Sequence, residues 1–160
     1  MNKSKKKTLN NKFKWIPKHL RLDKLGLPVA PRPVDNRIPK LWITSLPPLE
    51  KNLKAGKDLV TETYLVNSSG MILESVIAST GGIQYLDEDS DESVYGKDKA
   101  IEYNNVENGQ AVRVFQHEAH YDSDWFLAIS VKVKMNGKWI NLSSSVTKGT
   151  KGFKEEVLLY

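Results

Sequence analysis

The chain has 160 residues, a formal net charge of +5 and no cysteine. That length holds one domain plus an extension, and the lack of cysteine excludes a disulfide framework, a thiol nucleophile and a zinc site built on thiolates. A hydrophobic fraction of 39% is low for a globular chain and fits a compact core diluted by a polar segment.

The charge is divided unequally. Residues 1–44 hold twelve Lys/Arg against Asp23 and Asp35, a balance of +10; the remaining residues hold the other twelve against seventeen acidic side chains, a balance of −5. Such asymmetry points to an acidic partner for one end of the chain. All seven prolines fall between Pro17 and Pro48. Proline fixes φ and removes a backbone donor, so this region resists both helix interiors and sheet ladders. The expected division is an extended, basic, proline-punctuated arm over 1–44 and a domain over 45–160. Phe13, Ile16 and Leu20 have helical spacing, but Pro17 interrupts it and leaves room for a short turn only.

The arm is too rich in aromatics for a purely solvated tail. Two uses compete. Lys5, Lys6, Lys7, Lys12, Lys14 and Arg21, interleaved with Phe13 and Trp15, could follow a phosphate backbone and stack on bases. Alternatively Phe13, Trp15, Leu41 and Trp42 could anchor the arm on a protein partner or on a second copy. A third reading makes Trp42 and Ile43 the first strand of the domain. The prolines at 28, 31 and 33 beside Arg32 also match a short polyproline recognition pattern.

From residue 57 onward the period of the sequence changes to two. Residues 59–66 are rich in β-branched and aromatic side chains and read as a strand. Asn67-Ser68-Ser69-Gly70 supplies turn chemistry, and residues 71–79 read as the return strand. Thr80-Gly81-Gly82 reads as a further turn before a short extended piece at 83–86. Residues 100–106 form the next strand, Glu107-Asn108-Gly109 a hairpin turn, and 111–117 the strand after it. In residues 124–135 the odd positions are all apolar and the even ones mostly polar, the pattern of a half-buried strand. A two-residue Asn136-Gly137 turn then pairs Met135 with Lys138, Val133 with Ile140 and Val131 with Leu142. It sets Trp139 on the outer face opposite Lys134, where packing under the arm is the favoured expectation. Residues 153–160 are apolar enough for a last strand.

Six or seven strands without a helical pattern in the body predict an all-β, antiparallel β-sandwich. In strand count and spacing it resembles immunoglobulin-like and fibronectin-like domains, although the antibody cysteine pair is missing.

Two clusters invite chemistry. Asp87, Asp89 and Asp91 open like a calcium loop, but Glu92 stands where glycine is needed and Asp98 where a bidentate glutamate is expected. A solvated loop, usable as a contact surface, is the preferred reading. His117, His120, Asp122 and Asp124 lie close together, yet H-x-x-H puts its rings on opposite faces of a strand, and His-Glu-Ala-His is one residue short of a zincin motif. No catalytic residue, metal site or cofactor is therefore assigned. Thr8 to Trp15 has no continuous apolar run to make a secretory signal, and no stretch approaches the roughly 20 apolar residues of a membrane span, so a cytoplasmic protein without membrane contact is expected. The expected function is a non-enzymatic protein-binding module or accessory subunit. A nucleic-acid-associated protein, including a coat-type protein, is the alternative, and a hydrolase or metal enzyme at His117–Asp124 a second one.

Overall fold

A computed structural model describes residues 6–29, 33–46, 60–85, 93–97, 100–118, 126–145, 147–148 and 157–158. Among them are the strands β1 (Thr8–Asn10), β2 (Leu41–Leu46), β3 (Val60–Asn67), β4 (Leu73–Tyr85), β5 (Ser93–Lys97), β6 (Ile101–Val106), β7 (Gln110–Glu118), β8 (Phe126–Met135), β9 (Lys138–Ser143), β10 (Thr147–Lys148) and β11 (Val157–Leu158). They form two antiparallel sheets. One has the order β1-β7-β3-β2-β11. In the other, β4 lies between β8 on one side and β6 and β5 on the other, and β8 carries β9 and β10 on its far side. No helix among the described residues is long and apolar enough to cross a membrane.

Alternation decides which side chains meet between the sheets. Leu41 and Ile43 of β2, Leu65 of β3 and Val112 and Phe115 of β7 pack against Val76 and Ala78 of β4 and Ile129, Val131 and Val133 of β8. β3 and β7 shift register between Thr63 and Tyr64, which pair with Phe115 and Arg113. Val114 is the extra residue of this bulge. Phe115 thereby joins the core while Arg113 faces the opposite side with Tyr64.

Three local expectations are corrected. Thr80-Gly81-Gly82 is not a turn, because β4 runs through it for 13 residues. Gly82 pairs with Gly96 on one side and Leu127 on the other, so this pair of glycines lies inside a strand paired along both sides rather than at a reversal. Residues 107–109 do not close a hairpin. β6 belongs to one sheet and β7 to the other, so the chain crosses the sandwich there. The turn after β3 does the same, and β4 is not its return strand. The signals for turning were correct, but local turn chemistry does not state which sheet the chain enters next.

The two crossings are joined by one buried side chain. Asn67 Nδ2 donates to Met71 O (2.8 Å) and Val106 O (3.0 Å). Its Oδ1 accepts from the Ser69 amide and hydroxyl, and its backbone oxygen accepts from Gly109 N–H. Every polar group of Asn67's side chain thus has a partner, as a fully buried amide requires.

The hairpin between β8 and β9 has the register read from the sequence: Met135 with Lys138, Lys134 with Trp139, Val133 with Ile140 and Val131 with Leu142. Asn136 and Gly137 have φ of 51° and 72°, the left-handed pair that a tight hairpin turn needs. The last-strand expectation also holds at Val157–Leu158, which pairs with Trp42 and Ile43.

Candidate interaction surface

The arm begins as part of the sandwich. β1 pairs with β7, Thr8 opposite Val112 and Asn10 opposite Gln110. Asn11 N–H then donates to Gly109 O at 3.0 Å. Gly109 has φ +85°, and a Cβ there would stand 2.5 Å from Asn11 Oδ1. Glycine therefore serves both the backbone conformation and the close approach of the arm.

Beyond β1 the aromatics of the arm close over the outer face of this sheet. Phe13 lies 6.4 Å from Trp42 and 5.6 Å from Tyr64, and Trp15 meets Trp42 edge-on at 5.1 Å. With Val66 and Ala111 these residues make a second apolar cluster, whose edge-to-face contacts suit the ring quadrupoles. Trp42 is fully buried and its indole N–H donates to Ser68 Oγ. Trp42 and Ile43 are thus strand residues, as the third reading had it, and β2 straddles the expected boundary between residues 44 and 45.

Beside the aromatics sits a polar clamp. Glu62 Oε2 accepts from Lys7 Nζ (2.8 Å) and Tyr64 OH (2.6 Å), and its Oε1 accepts from Arg113 Nη1 (2.8 Å). Burial raises the Glu62 pKa, but the three hydrogen bonds outweigh it, so the carboxyl ends below its ordinary range. Burial and the bond to Glu62 push the Tyr64 phenol up. The Lys7 backbone is held too: its N–H donates to Tyr103 OH, and its carbonyl accepts from Arg113 N–H.

From Ile16 onward the arm leaves the sheet and builds a structure of its own. A short 3-10 turn, η1 (Lys18–Leu20), follows Pro17. Leu22 and Pro28 then form an isolated antiparallel bridge. The loop between them is organised by Asp23, whose Oδ1 accepts from Leu25 N–H (2.8 Å) and Leu27 N–H (2.9 Å) while its own N–H donates to Leu27 O (2.7 Å). Gly26 takes φ +77° at the bend. Arg21 ties this hook to the docked part, since its guanidinium lies 5.1 Å from the Trp15 ring and its Nε donates to Ile16 O. The hook is therefore shaped by its own local hydrogen bonds, and its apolar side chains face water: Leu25 is 83% exposed, Leu22 62%, Leu20 60% and Leu27 57%.

The basic candidates of the arm divide accordingly. Lys7 is in the clamp, Lys6 stands 6.0 Å over Tyr103 and Arg21 over Trp15. Lys12 and Lys14 are exposed, and Lys5 lies outside the described residues. Trp139 is not covered by the arm. It is 51% exposed on the outer face of the other sheet, because the arm's aromatics dock on Trp42 instead. The leucines of the hook were missed as site residues by sequence reasoning. Their signal was present in Asp23 and Gly26, a turn pair set among leucines.

His117 is buried on β7, opposite Thr61 and 6.4 Å from the Phe115 ring. His120, Asp122 and Asp124 lie outside the described residues, as do Asp87, Asp89 and Asp91. Among the described residues no group of three or more metal-ligating side chains converges. No protein-family model matches the chain, and neither curated proteins nor solved structures give a significant match.

Proposed function

We propose that this chain is a non-enzymatic protein-binding module: an immunoglobulin-like or fibronectin-like sandwich that carries a basic arm and presents the arm's hook to a protein partner. The observation that carries the reading is the hook at residues 20–27, where four leucines are more than half exposed on a loop that its own hydrogen bonds hold in shape. An exposed apolar cluster is a mark of an interaction site, and a pre-shaped one loses little conformational freedom when it binds. Lys18, Arg21 and Lys24 flank the leucines, so the matching surface is an apolar groove bordered by carboxylates.

The strand order supports the immunoglobulin-like part of the proposal. β2, β3 and β7 share one sheet, and β6, β4, β8 and β9 lie side by side in the other. Consecutive strands divided between two sheets in this way are in keeping with the Greek-key connections of such sandwiches.

Base stacking by the arm is disfavoured by the engagement of Phe13 and Trp15 with Trp42. A photo-reactive residue at Leu25, introduced into the full chain in its own cells, tests the choice. Cross-linking to a discrete protein is expected, resistant to nuclease and lost in a Leu22→Asp, Leu27→Asp variant. Capture of nucleic acid with a steep salt dependence that disappears in a Lys12→Ala, Lys14→Ala variant would replace this reading.

A further inference from the structure

We propose that β9 is a self-pairing edge, and that two copies of this chain join β9 to β9 antiparallel about a two-fold axis beside Asn141, making one continuous sheet through both molecules. This pairing does not involve the hook.

In an antiparallel ladder, residues alternate between those that exchange hydrogen bonds with the neighbour and those that do not. The pair closing a two-residue hairpin, here Met135 and Lys138, is of the first kind. Lys138, Ile140 and Leu142 therefore direct their backbone groups to β8. Ser144 keeps the parity, its N–H donating to Ile129 O at 2.9 Å. Trp139, Asn141 and Ser143 direct theirs away from β8. Among the described residues no strand pairs with β9 on that side, and all three residues are exposed.

Edges of this kind template further strands unless they are blunted by proline, a bulge or charge. β9 is Lys-Trp-Ile-Asn-Leu-Ser. It has no proline and no residue of positive φ, and its one charge, Lys138, stands at the end.

The sequence of β9 also selects the occupant. Its three outward-bonding residues are symmetric about Asn141. A second copy with Asn141 opposite Asn141 sets Trp139 opposite Ser143 at both ends, so each outward N–H and C=O finds a partner. Between the two β9 strands themselves, Lys138–Ser143, any other antiparallel register leaves some of them without one. On the core side this register puts Ile140 opposite Leu142, both already packed at the margin of the core, so the apolar layer continues across the axis. On the outer face the large indole meets a small serine. The lysines at position 138 lie at opposite ends, so like charges do not face one another. The interface is isologous, as a two-fold dimer requires. The arm docks on the other sheet, so each dimer displays two hooks and can bind a multivalent partner with added avidity.

The test is the mass of the full chain by sedimentation equilibrium across a range of concentrations. A dimer is expected. Asn141→Pro removes a single N–H that points away from β8, a place where a strand tolerates proline, and is expected to yield monomer with an unchanged far-ultraviolet spectrum. As a second measurement, Asn141→Cys in this cysteine-free chain is expected to oxidise to a covalent dimer. Directly opposed residues of a hydrogen-bonded pair stand about 5.5 Å apart at Cα, within disulfide reach. Lys132→Cys, one strand away from the edge, is expected to stay monomeric on a reducing-agent-free gel. Monomeric parent chain at every concentration would overturn the proposal, as would a dimer that survives Asn141→Pro. If Asn141→Pro does not fold, absence of the cross-link at position 141 overturns it. A dimer lost in Leu22→Asp, Leu25→Asp but kept in Asn141→Pro would place the contact in the arm and also overturn it.

Discussion

Residues 6–15 and the described residues of 16–38 belong to one basic, apolar-rich arm, yet the fold treats them in opposite ways. In the first stretch every large apolar side chain finds a place on the sandwich: Leu9, Phe13 and Trp15 pack on Trp42 and Tyr64. In the second, Leu20, Leu22, Leu25, Leu27, Val34 and Ile38 are all more than half exposed. The order of the first is tertiary, supplied by β7, Glu62 and the aromatic cluster. The order of the second is local, supplied by Asp23 and by Asp35, whose carboxylate accepts from the Arg37 guanidinium; these hydrogen bonds lower the Asp35 pKa to about 2. One part of the arm is packed on the sandwich and the other leaves its apolar side chains exposed. Side chains of the same composition separate into these roles because only the first lies against a sheet face that offers apolar area.

The sharpest way to break the contrast is Trp42→Ala. Trp42 is 1% exposed and lies beneath both arm aromatics, so its removal should cost about 3–5 kcal/mol in denaturant unfolding. A loss of less than about 1 kcal/mol would show that the outer cluster contributes little. Next comes the clamp. Glu62→Ala leaves Arg113, only 8% exposed at its side chain, without its carboxylate. The expected cost is about 2–3 kcal/mol, below the range for a fully buried pair because Glu62 is itself partly solvated.

Acid should act on the same group without mutation. The Glu62 carboxyl titrates below its ordinary value in the folded chain. It therefore contributes stability that is fully present above the unfolded carboxyl pKa and is lost as pH falls through the lowered folded value. In hydrogen exchange, the amides of Thr8–Asn10 should lose protection in that window before those of β8. Equal protection of both down to global unfolding would show that the clamp does not hold the arm.

Smaller effects refine the boundary between the two stretches. Trp15→Ala should cost about 1–2 kcal/mol for partial loss of apolar burial. Trp15→Phe should cost less, because the buried indole N–H has no acceptor among the described residues and its loss removes a desolvated donor. The least effect belongs to the hook. Leu22→Ser with Leu25→Ser should stay within about 0.5 kcal/mol of the parent in stability while abolishing partner capture. A large destabilisation would mean that these leucines are structural.

The sequence by itself determined whatever depends on neighbours along the chain. The alternation of residues 124–135 and the Asn136-Gly137 turn fixed the β8–β9 pairing residue by residue, since the alternation sets which face is apolar and a two-residue turn allows no slippage. The all-β class followed from the same alternation repeated. The hook was half legible: Asp23 and Gly26 announce a turn, but nothing local says that its leucines stay uncovered.

Only the tertiary structure decided the rest. The turns after β3 and β6 are readable as turns, but whether they close a hairpin or cross between sheets depends on which strand edge is free, a property of the assembled sheets. Gly81-Gly82 carries turn chemistry that β8 and β5 override by pairing along both sides of β4. Trp42 and Trp139 look alike as outward-facing tryptophans of β-branched strands. One is buried and the other half exposed because the arm, after pairing with β7, crosses the face that holds Trp42. Burial is a contact between distant parts of the chain, and no local pattern contains it.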